Sequence, residues 1–309
     1  MIEFLPVIVL VLSFLVLLMM GVPVAWCIAT SSMFTLMVAM PFSAAATTVS
    51  QRIATGLDSF ALLAIPFFIL SGQIMSKGGI AHRLISFAKT LVGFLPGGLA
   101  LINIVSAMLM GAIAGSAMAS ASAMGTILGP EMEKEGYSKE FGAAVNITSS
   151  TTGLVIPPSN TLIVYSLASG GVSIAALFLA GYIPGILTGL LMMIVAMIWA
   201  KKNNYPVGKR ATLKEVFVAF IDAFPSLLLL VIVIGGIIGG AFTATEASAV
   251  AVLYTVLLSF YYKELSMNDL PKVILESVET TAIVMLLIGA SMCMSWVLSY
   301  ENIPQDISN

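Results

Sequence analysis

Charge is what this sequence has least of. Of its 309 residues only 9% are Asp, Glu, Lys or Arg, against about 25% in a soluble domain, which excludes an ordinary globular protein. The 13 basic and 15 acidic residues leave a formal net charge of −2, so there is no basic footprint for nucleic acid. Cysteine is nearly missing: Cys27 and Cys293 both sit in apolar runs, which rules out a disulfide framework or a thiolate metal site. One histidine, His82, cannot build a multi-histidine metal centre. No His-Glu-x-x-His pattern occurs and Ser116 has no visible base, so nothing points to an enzyme. What is abundant is apolar surface: 59% hydrophobic residues and a mean hydropathy of +1.07, far too much for a disordered chain. This composition describes a multi-pass protein of the lipid bilayer.

Long charge-free runs locate the buried parts. No Asp, Glu, Lys or Arg occurs in Phe4–Gln51, Thr90–Pro130, Phe141–Ala200 or Thr280–Tyr300. A spanning helix needs about 20 mostly apolar residues, so Phe141–Ala200 holds two spans and an excess. Phe4–Gln51 reads as two helices turning at Gly21-Val22-Pro23 and ending at Pro41, and Phe60–Ser76, Leu227–Ala241, Glu246–Tyr262 and Thr280–Tyr300 add single candidates. The runs are continuous rather than alternating, so an all-α protein is predicted and a lipid-facing barrel is not. The first run lacks a basic leader and is too long for a signal core, so a cleaved signal peptide is not expected.

Polar punctuation sets the organisation. Lys77–Lys89 carries Ile80, Leu84, Ile85 and Ala88 at helical spacing, the pattern of an amphipathic helix lying in the interface. Glu131–Glu140 reads as a short polar connector. Lys201, Lys202, Lys209, Arg210 and Lys214 form the strongest basic loop, which the positive-inside tendency places in the cytoplasm. Arg52 and Asp58 lie at the edge of a span, where anchoring at the interface outweighs a functional role. Glu246 follows Thr243 and Thr245 at a helix start, where a carboxylate complements the dipole; capping is favoured there over a proton-carrying or gating role.

An internal repeat is visible in hydropathy. Leu227–Leu258 resembles Val9–Val38, each an apolar helix, a glycine turn (Gly240, Gly21) and a second apolar helix. The same register lays Thr281–Ser295 on Leu62–Ser76 and Asn309 on Thr90. Weak two-fold repetition marks many secondary transporters. On this register the counterparts of Ser116 and Pro157 fall beyond Asn309, so the chain reads as part of a longer permease.

Two stretches carry polar chemistry at membrane depth. Gly111–Gly125 is built almost wholly of small residues, which permit close backbone approach and on a bland reading serve helix packing alone. Asn146–Thr161 holds five hydroxyl residues, then Gly153, then Pro157-Pro158-Ser159-Asn160. Consecutive prolines remove two amide donors and bar the helical region for the residues before them. Bare backbone at this depth is tolerated only against protein or a cavity. A broken helix offers free carbonyls on one side and free amides on the other, the groups that coordinate a small cation and a carboxylate in discontinuous transporter helices.

Taken together, Gly115-Ser116-Ala117, Gly136-Tyr137, Ile156-Pro157-Pro158-Ser159, the run Leu177–Gly185 and Phe242-Thr243-Ala244-Thr245-Glu246-Ala247 resemble the large membrane subunit of tripartite ATP-independent periplasmic (TRAP) transporters, over essentially the whole chain. The resemblance implies an elevator-type secondary transporter of the bacterial inner membrane with two inverted repeats, each with a re-entrant hairpin and a broken helix. It implies two partners, a small membrane subunit and a periplasmic substrate-binding protein, and import of an organic acid of the sialic-acid or C4-dicarboxylate class with sodium as coupling ion and no other cofactor. Carried onto this chain, it puts sodium at Ser116, Gly153, Ile156 and Pro158, with Thr151, Thr152, Ser159 and Asn160 as substrate-binding or supporting groups; a second sodium site is not expected within the chain.

The segments implied are first-repeat scaffold helices (1–57), first-repeat arm, hairpin and broken helix (58–200), and a basic loop with amphipathic connector (201–222). Second-repeat scaffold helices (223–278) and the start of the second-repeat transport elements (279–309) follow. The alternative is a non-transporting membrane scaffold or channel subunit, although neither a filter motif nor a ring of pore charge is evident.

Overall fold

The computed structural model describes residues 5–77 and 79–302. The predicted 279–309 segment therefore lies outside the described residues from position 303 onward. Among those residues every regular element is a helix, and the sole strand-like feature is an isolated bridge between Pro96 and Val207. Among the described residues five helices are long and apolar enough to cross a membrane: Phe60–Lys77, Ile174–Lys202, Leu213–Ile238, Ala244–Tyr261 and Leu270–Tyr300. The chain divides into two compact units, residues 1–62 with 278–309, and residues 63–277.

The first unit contains α1 (Leu5–Met19), α2 (Val24–Ala39), α3 (Phe42–Leu57) and the later turns of α13 (Leu270–Tyr300). Gly21, at φ +78°, makes the turn between α1 and α2 that the Gly21-Val22-Pro23 sequence predicts. Pro41 separates α2 from a third helix that the sequence reading did not resolve. Leu36, Ala45, Val49, Cys293 and Val297 form one buried cluster, and Ile28, Ala29 and Ala290 another. Polar residues on α2 cost little here because Ser31, Ser32 and Thr35 donate back to carbonyls three or four residues earlier. Arg52, at the edge of the apolar run, lies over the Trp296 ring at 4.2 Å, a cation–π contact.

The second unit holds α4 (Ala64–Lys77), α5 (Ile80–Val92), α6 (Gly98–Ala114), α7 (Ala117–Lys134), α8 (Lys139–Ser150), α9 (Asn160–Ala168), α10 (Ile174–Lys202), α11 (Leu213–Ile238) and α12 (Ala244–Tyr261). Gly240, at φ +73°, turns α11 into α12 much as Gly21 turns α1 into α2, so the helix–glycine–helix pattern recurs in the structure. Thr243 and Glu246 form a reciprocal capping box at the start of α12, the capping role read from the sequence.

Two local readings are corrected. The apolar face of α5 does not lie open to an interface: Ile80, Ala81, Leu84, Ile85 and Ala88 are buried and α5 packs on α6 and α11. Its amphipathicity reflects protein packing, which periodicity alone cannot tell from lipid packing. The polar stretch Glu131–Glu140 is a connector only in its middle. The α7 helix continues through Pro130 to Lys134, and α8 begins at Lys139 with Ser138 as N-cap.

Candidate functional site

The hairpin of α6 and α7 turns in two residues. Gly115 takes a left-handed conformation at φ +59° and ends α6; Ser116 is extended and caps α7, its Oγ accepting the Ala119 amide at 3.3 Å. Only glycine enters that conformation without strain, and a Cβ at Gly115 would stand 2.8 Å from the Pro158 carbonyl oxygen.

The broken helix is built by its prolines. After α8 the chain tightens into a 3-10 turn over Thr151–Leu154, then runs as irregular backbone until Ser159 precedes α9. In a continuing α-helix Pro157 would donate to the Gly153 carbonyl and Pro158 to the Leu154 carbonyl, but neither has an amide hydrogen. Leu154 is served instead by the Ser159 hydroxyl at 2.6 Å, and Thr152 carries the amides of Val155 and Ile156 at 3.0 and 2.8 Å. The Gly153 carbonyl is left without its helical donor. The α8 helix is 12 residues, about 18 Å, a little over half of the roughly 30 Å hydrocarbon core. A helix of that length does not cross the core by itself.

Hairpin tip and break meet backbone to backbone. A Cβ on Gly111 would lie 2.5 Å from the Gly153 Cα, and one on Gly153 would lie 2.9 Å from the Gly111 Cα and 3.6 Å from the Ser116 carbonyl carbon. The Asn160 amide donates to the Gly115 carbonyl at 3.4 Å. Three of the four predicted cation ligands, Ser116, Gly153 and Pro158, are thus brought together. The Ile156 side chain presses on Gly185 of α10.

The supporting residues divide. Thr152 and Ser159 are buried and their hydroxyls are already donated to the Ser149 and Leu154 carbonyls. Thr151 is exposed and donates to the Thr148 carbonyl. Asn160 is the open one: its Oδ1 is buried and has no hydrogen-bond partner among the described residues. Buried acceptors are rarely left so, and here the orphan oxygen belongs to the residue whose amide ties the break to the tip. The first turn of α9 has no side-chain cap, so its amides complement an anion, as does the dipole end of α7.

Sequence reasoning missed two supports. Gly181 and Gly185 of α10 back the break, since a Cβ at either would stand 2.4 Å from the Val155 carbonyl oxygen or the Ile156 Cγ1; glycines four apart in an apolar helix were the available signal. A polar network also staples α6, α7 and α8: Ser149 donates to Asn103 Oδ1 at 3.2 Å, Asn146 to the Ala121 carbonyl at 2.9 Å, and Ser120 to the Ala107 carbonyl at 3.2 Å.

A family model described as "Tripartite ATP-independent periplasmic transporter, DctM component" matches residues 11–309. An "Uncharacterized protein YgiK" of Salmonella typhimurium is 54% identical over 303 residues, 98% of this chain and 70% of its own length. The C4-dicarboxylate TRAP transporter large permease protein DctM of Pseudomonas aeruginosa is 41% identical over 82% of this chain and 59% of its own. The sialic acid TRAP transporter large permease protein SiaM of Vibrio cholerae is 37% identical over 84% and 61%. The chain thus spans 59 to 70% of the length of these three relatives. The two relatives with a named activity are transporter permeases, not enzymes. The chain belongs to the DctM component family of tripartite ATP-independent periplasmic transporters, multi-pass proteins of the bacterial inner membrane.

Proposed function

We propose that the chain forms the permease subunit of a sodium-coupled transporter that imports an organic acid, working with a small membrane subunit and a periplasmic binding protein. The observation that carries this reading is the meeting of the Gly115–Ser116 tip with the Gly153–Asn160 break. Oxygen donors without a carboxylate suit a hard monovalent cation, because backbone carbonyls and amide oxygens supply dipoles rather than net charge. Gly153, Pro158, the Asn160 side chain and Ser116 would hold the ion. The amide ends of α7 and α9 would then meet the substrate carboxylate. Each half is incomplete alone, so cation binding orders the surface that the anion needs, and the two bind in linkage. Movement of the loaded elements past the scaffold completes an elevator cycle. Relatives named for C4-dicarboxylate and sialic acid support an organic acid as the substrate class.

The test is uptake of radiolabelled organic acids into proteoliposomes that hold the full assembly, with sodium or potassium outside. Accumulation that requires sodium supports the reading. Equal accumulation in potassium would remove sodium from it, and ungated bidirectional leak would turn it into a channel.

A further inference from the structure

An apolar groove of about 660 Å³ opens between α8 and α10 above Ile104 of α6. Its wall along α10 runs from Thr188 to Trp199, about 17 Å by helical rise, close to the depth of one leaflet of a roughly 30 Å hydrocarbon core. Thr148 and Thr188 line it, yet their hydroxyls donate to the Ala144 and Pro184 carbonyls of their own helices, so neither hydroxyl proton is free for a ligand in the groove.

One end is quite different. Phe141 and Trp199 stack there with ring centroids 6.1 Å apart, and Tyr137 stacks on Tyr205 at 4.3 Å. Aromatic rings grouped beside lysines are the mark of the headgroup level. Glu140 lines this end of the groove, and Lys202 follows Trp199 by three residues on the same helix, one turn further along the groove's face. Both side chains are exposed. Among the described residues the ion pairs involve neither of them, although Lys139 nearby pairs with Glu133 at 3.4 Å.

We propose that this groove binds a phospholipid of the leaflet on the Lys201–Lys214 side, one acyl chain lying along α10 and a head with both a phosphate and a primary ammonium at the mouth. Lys202 takes the phosphate and Glu140 takes the ammonium. An ethanolamine head satisfies both groups. A glycerol head leaves Glu140 without a partner, and a choline head cannot donate a hydrogen bond to it.

Trp199 reports on the groove directly. With Trp26→Phe and Trp296→Phe it becomes the sole tryptophan, and phospholipids brominated on the acyl chain quench it when they occupy the groove. In vesicles with equal small fractions of brominated phosphatidylethanolamine, phosphatidylglycerol or phosphatidylcholine, the ethanolamine lipid should quench most. Its preference over the other two should be about two- to fivefold, the range for one exposed charge pair. Glu140→Gln, an exposed change that leaves the fold alone, should erase that preference. Ala144→Phe should fill the groove and lower quenching by all three. Equal quenching by the three lipids, or quenching unchanged by Ala144→Phe, overturns the proposal. So does loss of quenching when the small membrane subunit is added, which would assign the groove to a protein helix.

Discussion

Gly111 of α6 and Gly153 of the 3-10 turn after α8 touch through their backbones, with no room for a methyl group on either: the Cβ of an alanine at 111 would be 2.5 Å from the Gly153 Cα and 2.9 Å from its amide nitrogen. The contact sets how closely the hairpin tip approaches the break. Gly111→Ala should therefore push the two apart, at a cost of about 1–3 kcal/mol for overpacking. Sodium-driven uptake should fall far more than the melting temperature does. A variant with wild-type uptake would show that this approach is not needed for transport.

Arg83 joins three elements. Its guanidinium lies 3.6 Å from the centre of the Tyr262 ring, 3.4 Å from Asp222 and 3.7 Å from Glu264, and it donates to the Gly79 carbonyl at 3.1 Å. The two carboxylates are half-exposed, so most of the value lies in the ring contact and the packed stem. Arg83→Gln should lower stability by about 1–2 kcal/mol. Arg83→Lys should recover only part, because an ammonium has no planar face to lay on Tyr262. Thermal melting in detergent reads both; equal melting of all three proteins would reduce the cluster to ornament.

Tyr137, in the connector between α7 and α8, has its phenol pushed up to about 12 by burial. From pH 10 to 12 the unfolded chain would ionise this group while the folded chain holds it neutral. The stability it contributes is therefore intact below pH 10 and is lost as pH rises through 12. Tyr137→Phe should show a shallower fall in melting temperature across that interval than the wild type. Parallel curves would mean that the phenol is free to ionise.

How far the sequence could be read depends on what kind of signal each element leaves. Gly21, Gly240 and Pro157-Pro158 are backbone constraints, so turn, turn and break were legible before any contact was known. Ser116 and Gly153 were legible as a pair because small and non-helical residues at membrane depth need a reason. Ile156, as a residue before proline, marks the break in the sequence, whereas the packing of its side chain against Gly185 leaves no local signal. The burial of α5 was not legible, since an apolar stripe is the same whether lipid or α11 covers it. Neither was Asn160's distinction from Thr151 and Ser159, which rests on who already donates to whom.

Glu246 tests the difference between a structural and a proton-carrying carboxylate. Its Oε2 accepts the Thr243 amide and hydroxyl, both at 2.8 Å, while its own amide donates to Thr243 Oγ1 at 3.2 Å. Thr243→Ala should cost about 1 kcal/mol, as cap losses do, and Glu246→Gln less, because an amide oxygen still accepts. Neither change should alter the pH profile of uptake in the assembled transporter. A profile displaced by Glu246→Gln would give this carboxylate a role in coupling.

Ser116 has two roles that can be separated. Its Oγ caps α7 by accepting the Ala119 amide, and the proposed cation would draw on the same oxygen. Ser116→Ala removes both, while Ser116→Gly removes the oxygen yet costs the cap only a few tenths of a kcal/mol. If Ser116 holds sodium, both variants should raise the sodium concentration for half-maximal uptake by a similar factor, and only Ser116→Ala should melt earlier by about 1 kcal/mol. Asn160→Ala should raise that concentration as well, since it deletes a buried side-chain oxygen that has no partner among the described residues. Its melting temperature should hold or rise, because an unsatisfied buried acceptor carries a desolvation penalty of about 1–3 kcal/mol. An unchanged half-saturation in all three would move the cation away from the tip and break, and an early melt in Ser116→Ala alone would leave Ser116 as a cap and nothing more.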